Sequence, residues 1–242
     1  MNMNTYLDSE PPKGLILVYS DPGVNVLEEE YHDWYDNEHI PPRLEVPGVL
    51  SSFRYRAMDS QSPAWLALYD ITSLEVAQTP KYKSLGSKGS QREKKIMADL
   101  ASINRRVYDQ VLSHMHPDAK VESLPGRYVF ADHTKVKRGD QEDFNQWYNA
   151  EQMSFLAKIP GWLRGRRYEL LESVSRGIKI EPNIDEEPYV EYLALHEFEL
   201  ENFLRLQEYK SAIETPWAER AMKLVAYRQL RLFERYKIFR KP

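Results

Sequence analysis

The chain has no cysteine, which removes disulfides, thiolate nucleophiles and cysteine-based metal sites together. It also lacks any apolar run near the ~20 residues a membrane-crossing helix requires. The opening stretch, MNMNTYLDSEPPKG, is polar and acidic, unlike a signal peptide or a basic transit peptide. Positive charge is not in excess: 33 Lys and Arg stand against 37 Asp and Glu, for a net charge of −4. Nucleic-acid modules usually show the opposite balance. Glycine-rich phosphate loops and the Ser-His-Asp order of hydrolytic triads are missing as well. These absences lead us to expect a cytoplasmic protein with no membrane or nucleic-acid partner, no resident cofactor and no metal. The basic residues near the C-terminus (Arg228, Arg231, Arg235, Lys237, Arg240, Lys241) read as a solvated strand face and tail.

Aromatic residues are abundant, at 12% with 16 tyrosines. Such side chains join an apolar body to a polar tip, which suits a pocket for a flat molecule and equally a large subunit interface. More informative is an internal repeat. Residues 28–56 (EEEYHDWYDNEHIPPRLEVPGVLSSFRYR) align with residues 141–169 (QEDFNQWYNAEQMSFLAKIPGWLRGRRYE) at an offset of 113. This matches Trp34 with Trp147, Tyr35 with Tyr148, Glu38 with Glu151, Pro47-Gly48 with Pro160-Gly161, and Arg54-Tyr55 with Arg167-Tyr168. WLALYDI at 65–71 then matches YLALHEF at 192–198 at an offset of 127, so the second half carries 14 extra residues. RRVYDQV at 105–111 echoes LRLFERY at 230–236.

The order of elements repeats too. The run 14–20 reads as a buried strand, followed by a helix with Leu27, Tyr31, Trp34, Tyr35 and Glu38 at helical spacing. Pro41-Pro42 is expected to stop that helix. Strands over 50–58 and 65–71, a polar helical stretch over about 74–100 and a strand over 103–112 complete a β-α-β-β-α-β unit, the ferredoxin-like arrangement. The second half repeats it, with strands over 127–132, 162–171, 189–198 and 226–239 and helices around 144–155 and 200–222. The expected division is a first unit at 1–113 with a tail at 1–12, a linker at 114–125 and a second unit at 126–242. Residues 173–188 hold the insertion, read as an exposed loop.

WYDNEHIPPRLEVPGVLSSFRYRA at 34–57 resembles the dimeric α/β-barrel superfamily, in its EthD-like, stress-responsive form. WYNAEQMSFLAKIPGWLRGRRYEL at 147–170 looks like a second copy without the histidine. The resemblance implies an α+β fold in which two tandem ferredoxin-like units form a pseudo-dimeric barrel, with a ligand cleft between each sheet and its own helices. That superfamily holds cofactor-free monooxygenases, polyketide cyclases, muconolactone-type isomerases and haem-dependent enzymes, so it implies little about one activity.

Within this frame, positions differing between the halves are the candidates for a site. His39 faces Gln152 in the alignment, and imidazole is suited to proton transfer near neutral pH. It is the expected general base, helped by Asp36 three residues earlier, although a histidine at a helix C-terminus is also favoured by the dipole alone. Glu38 and Glu151, on the apolar side of their helices, are expected to pair with Arg54 and Arg167. Alternation along the third strand places Tyr69 and His196 on the face meeting the helices if Leu66 and Leu68 face away. Tyr69 and Arg54 would then polarise a carbonyl or enolate oxygen. Trp34, Tyr35 and Trp147 are core or substrate-contacting residues. His133 is expected at a cleft mouth, and His133, His196 and Arg167 would act if the second half were the working one. The pair His114 and His116 lacks companions for a metal site. The expected function is a cofactor-independent enzyme acting by proton transfer (cyclisation, isomerisation, dehydration or decarboxylation) on an aromatic or polyketide-like molecule, in secondary metabolism or catabolism. The alternatives are a cofactor-free oxygenase of phenolic substrates and a non-catalytic binding barrel. Association into a homodimer is left open.

Overall fold

A computed structural model describes residues 11–177 and 189–241. Its eight strands are β1 (Gly14–Asp21), β2 (Val49–Ala57), β3 (Trp65–Ile71), β4 (Ser102–Met115), β5 (Tyr128–Lys137), β6 (Trp162–Arg176), β7 (Tyr189–Phe198) and β8 (Val225–Arg240). They close into one antiparallel barrel in the order β1-β3-β2-β8-β5-β7-β6-β4. Each half contributes four adjacent strands, β4-β1-β3-β2 and β8-β5-β7-β6, the order of a ferredoxin-like unit. The seams are the pairings β2 with β8 and β4 with β6, which join one half to the other.

Strand alternation sorts the core into layers. Leu15, Leu17, Leu66, Leu68, Leu193 and Leu195 point into the barrel with Phe53, Tyr55 and Phe233. Ile16, Val18, Trp65, Ala67 and Tyr69 point outward, against the helices of the first half. Phe130, Tyr192, Ala194 and Phe198 do so in the second. Charged groups inside the barrel are paired, as burial requires. Arg166 meets Asp70 at 2.6 Å and Glu197 at 3.2 Å, linking the halves, and Arg164 meets Glu197 at 2.7 Å.

The first helix does not stop at Pro41. It runs as α1 (Glu28–Trp34), a π-turn (Tyr35–His39) and α2 (Ile40–Leu44). The Ile40 amide bonds the Tyr35 carbonyl, five residues back. This restarts the helix, so Pro41 and Pro42 fall in a new first turn, where a missing donor costs nothing. The second half repeats the device in α5 (Gln141–Trp147), a π-turn (Tyr148–Gln152) and α6 (Met153–Leu156). The Pro-Gly turns also match: Gly48 has φ +88° and Gly161 φ +80°, a region that favours glycine.

The polar helical stretches are broken. A 3-10 turn (Leu74–Gln78) leads into α3 (Pro80–Lys88) and α4 (Gln91–Asp99). A 3-10 turn (Phe203–Arg205), α7 (Gln207–Ile213) and α8 (Pro216–Met222) are their counterparts. Three strands are longer than expected. β4 runs to Met115, into the expected linker, and β5 runs to Lys137. β6 runs to Arg176, so residues 173–176 are strand and not loop, while 178–188 lie outside the described residues. The basic C-terminal stretch is not simply solvated. Arg231, buried, pairs with Asp59 at 2.8 Å, Arg228 with Asp132 at 2.7 Å, and Lys237 with Asp36 at 2.9 Å.

Candidate active site

The π-turn decides which residues look inward. An extra residue in the turn rotates everything after it relative to a regular α-helix. Glu38 therefore leaves the apolar face and sits at the surface, bonded by the Ser90 hydroxyl and 3.8 Å from Arg92. His39 takes the inward direction and is buried. Its ring packs on Trp34 and Tyr35, with centroids 4.6 and 4.8 Å away. Its Nδ1 donates to the Glu93 carboxylate at 3.0 Å. Nε2 has no hydrogen-bond partner among the described residues. Glu93 is the third residue of α4, whose N-cap is Ser90. The sequence Ser-Gln-Arg-Glu reads as a capping box, in which the glutamate would return to the cap amide. Here it turns to the imidazole, and Arg43 stands 3.8 Å from the same oxygen.

Burial governs the charge state of this dyad. Loss of solvent, reinforced by Arg43 and Arg54, holds His39 well below its ordinary 6.5. Burial also raises Glu93, against the pull of Arg43. The imidazole is therefore neutral at neutral pH, with its free nitrogen ready to accept a proton.

His39 and Glu93 form part of the wall of a cavity of about 620 Å³, between the outer face of the first-half sheet and α3 and α4. Such a volume falls in the ordinary range for small-molecule sites. Val18, Tyr69, Leu85, Met97 and Ile103 supply flat or apolar lining. Arg105, Glu172 and Arg176 line it from β4 and β6, so the second half contributes a wall to the first half's site. The hydroxyls of Tyr69, Tyr35 and Ser52 are buried together without a well-formed hydrogen bond. Burial pushes both phenols upward, so each stays protonated and able to donate.

The other expected site residues lie elsewhere. Asp36 does not assist His39. It pairs with Arg54 at 2.5 Å and with Lys237, because the π-turn puts the two residues on different faces. Arg54 does not pair with Glu38 and does not line the cavity. It also bonds His32 at 2.9 Å and is enclosed by Tyr31, Tyr35, Trp65 and Tyr236, so its charge is fully engaged. Trp34, Tyr35 and Trp147 are core residues, buried under the first helix of each half.

In the second half Arg167 bonds Asn149 at 2.5 Å and Asn145 at 2.7 Å, and Glu151 bonds Trp147 and Thr215 instead. His196 does face the helices, yet both ring nitrogens are taken, one by the Tyr148 hydroxyl at 3.0 Å and one by the Trp162 indole at 3.1 Å. Burial lowers it to about 4. His133 is not at a cleft mouth. β5 continues past it, and alternation turns it into the barrel, where Nε2 meets Tyr19 at 2.7 Å and Nδ1 is 3.8 Å from Glu191. His196 thus has no free ring nitrogen, while His133 keeps an unbonded Nδ1 that is buried inside the barrel. Among the described residues no group of three or more metal-binding side chains occurs, and His116 accepts the Asp118 amide.

The internal comparison is sharper in three dimensions. Ser90 on Glu38 and Thr215 on Glu151 are matching contacts, made by the N-caps of α4 and α8. Counting from these caps, Glu93 corresponds to Ala218. His39 corresponds to Gln152, and Arg105, which pairs with Val18, corresponds to Leu230, which pairs with Asp132. The first half thus holds an ionisable dyad beside a cavity, while the second has Gln152, Ala218 and Leu230 at the matching positions, in a core where Phe198 stacks on Phe203 at 3.7 Å.

No family model matches the sequence, and no curated protein matches it. Among solved structures, an anthrone oxidase-like protein superposes with a TM-score of 0.62 at 14% identity, covering 96% of this chain and 94% of that one. A proposed monooxygenase from Lactobacillus acidophilus NCFM gives 0.53 at 13% identity, covering 96% and 97%. A proposed chlorite dismutase gives 0.51 at 15% identity, covering 93% and 96%. At these identities the likeness is one of fold: the chain has the dimeric α/β-barrel architecture, built from two ferredoxin-like repeats in one polypeptide, and an EthD-type relationship is not specifically supported.

Proposed function

We propose that the first-half cavity is the active site of an oxygenase that starts its reaction by proton abstraction from a flat phenolic ketone of the anthrone type. The observation that carries this reading is the buried His39, bonded through Nδ1 to Glu93 with Nε2 unpartnered, in the wall of a cavity of about 620 Å³. His39 takes a proton from the activated ring CH2, and the electron pair passes onto the carbonyl oxygen as an extended enolate. Tyr69, whose hydroxyl makes no well-formed hydrogen bond with its neighbours Tyr35 and Ser52, donates to that oxygen. The enolate carbon reduces molecular oxygen and bonds to it, giving a hydroperoxide after the proton returns. Loss of water leaves a second ring carbonyl: CH2 and O2 become C=O and H2O. The protein's share is to orient the ring, to hold and return one proton at His39, and to keep water from the enolate.

The oxidase-like neighbour supports this choice over proton transfer alone, since its name joins this fold to an anthrone. The test is oxygen consumption. Purified protein given an anthrone in air-saturated buffer is expected to take up one O2 per quinone formed, and to stop when oxygen is removed. Conversion of substrate without oxygen uptake would instead leave an isomerase or cyclase, and no conversion of any anthrone would remove the reading.

A further inference from the structure

The cavity lining is unbalanced in charge. Five Lys and Arg side chains face only Glu93 and Glu172, in a protein whose net charge is −4. Arg105 is the most informative of the five. It sits in one register row across three strands, between Val18 of β1 and Val174 of β6, and both valines line the cavity. A guanidinium in an apolar row is costly unless its donors are used. One terminal nitrogen of Arg105 bonds Glu172, which Gln78 also holds at 3.1 Å. The other, Nη1, is buried without a hydrogen-bond partner, and the guanidinium lies 6.0 Å from the ring of Tyr82, another cavity-lining side chain. In the second half the same row has Leu230, so the fold itself does not need an arginine there.

We propose that the cavity's substrate carries a carboxylate, and that Arg105 selects it through Nη1, with Arg176 adding charge at the same wall. This rests on the flat-aromatic reading of the cavity and narrows it to aromatic acids. An unpaired buried donor is the arrangement that discriminates most strongly, because a neutral ligand leaves it unsatisfied. Residues of both halves then divide the recognition of one ligand. His39 and Glu93 act on the ring, and the β4–β6 seam reads the acid.

The test needs no turnover. Anthraquinone-2-carboxylate and its neutral carboxamide are titrated into the intact protein by calorimetry. The wild type is expected to bind the acid about 10-fold or more tightly than the amide. Arg105→Gln should bring the two to parity, and Arg105→Lys should keep part of the preference, as a point charge without the fork. Glu172→Gln removes the competing carboxylate from Arg105 and should tighten the acid further, so the inference does not depend on one variant folding. Equal affinities in the wild type would overturn acid recognition while leaving the flat-aromatic site intact, and an undiminished preference in Arg105→Gln with an unchanged melting temperature would overturn Arg105 as the selecting residue. Binding of neither ligand would overturn the aromatic site and this inference with it.

Discussion

Replacing His39 with glutamine installs the residue that the second half carries at the matching position, Gln152. The change separates catalysis from folding. Glutamine is close to histidine in size, and its amide can donate to Glu93 as Nδ1 does now at 3.0 Å. It also removes a buried group held neutral against its ordinary pKa. Stability at pH 7 should therefore change by no more than about 1 kcal/mol, the range of volume-conserving swaps. An amide cannot accept a proton from carbon, so the contribution of general base catalysis is lost, on the order of 10²- to 10⁴-fold in rate, or about 3 to 5 kcal/mol of barrier. The loss should fall on kcat, with substrate affinity nearly unchanged, because the ring contacts the cavity walls as before. The assay is initial oxygen uptake over a range of anthrone concentrations, beside a urea melt of the same sample. Turnover within a few-fold of wild type in a folded His39→Gln protein would refute His39 as the base. A collapse in stability would instead show that the imidazole is a structural group.

Further outcomes follow from the same geometry. Tyr69→Phe removes a buried hydroxyl that lies beside those of Tyr35 and Ser52 without a well-formed hydrogen bond, so stability should change by less than about 1 kcal/mol, while oxygen uptake falls; an unchanged rate would take Tyr69 out of the mechanism. Acid should weaken the fold before the carboxylates titrate. His196 is lowered from 6.5 to about 4, so the unfolded chain binds its proton first, and stability present above pH 6.5 is lost as pH falls toward 4. That one group corresponds to a loss of about 2 kcal/mol by pH 5 and about 3 kcal/mol below pH 4, with His39 and His133 acting in the same direction. Urea midpoints that stay flat from pH 7 to 5 would contradict this. Arg54→Ala leaves Asp36 and the aromatic enclosure around a vacated charge, and should cost about 3 to 5 kcal/mol, read in the same urea titration; a loss under about 1 kcal/mol would mean the pair carries little.

The barrel was legible because its determinants are periodic. Leu66 and Leu68 alternate with Ala67 and Tyr69, which put Tyr69 and the leucines on opposite faces, and the structure turns the Tyr69 face to the helices. Pro47-Gly48 and Pro160-Gly161 marked both strand entries. The site was only half legible. His39 stood out as the difference between two copies, but its partner did not, since Glu93 three residues after Ser90 has the spacing of an ordinary cap. The expected pairings of Glu38 and Asp36 failed for one reason. They assumed about 3.6 residues per turn through Tyr35–His39, and a π-turn leaves no signature in apolar spacing. His133 was misplaced because nothing in Thr134-Lys135-Val136 marks where a strand ends. Arg105 was hidden inside a strand whose alternation looks regular, and its importance depends on Val174 arriving from the other half.

The β4–β6 seam also changes what mutation can explore. In a barrel made of two identical chains, every substitution is made twice, and any gain at one cleft is tied to its effect at the other. Here Gln152, Ala218 and Leu230 could be exchanged for packing residues while His39, Glu93 and Arg105 stayed as they are. Fusion therefore lets one copy specialise as chemistry and the other as scaffold. Shortening the protein to its first half would remove part of the wall that its own site uses.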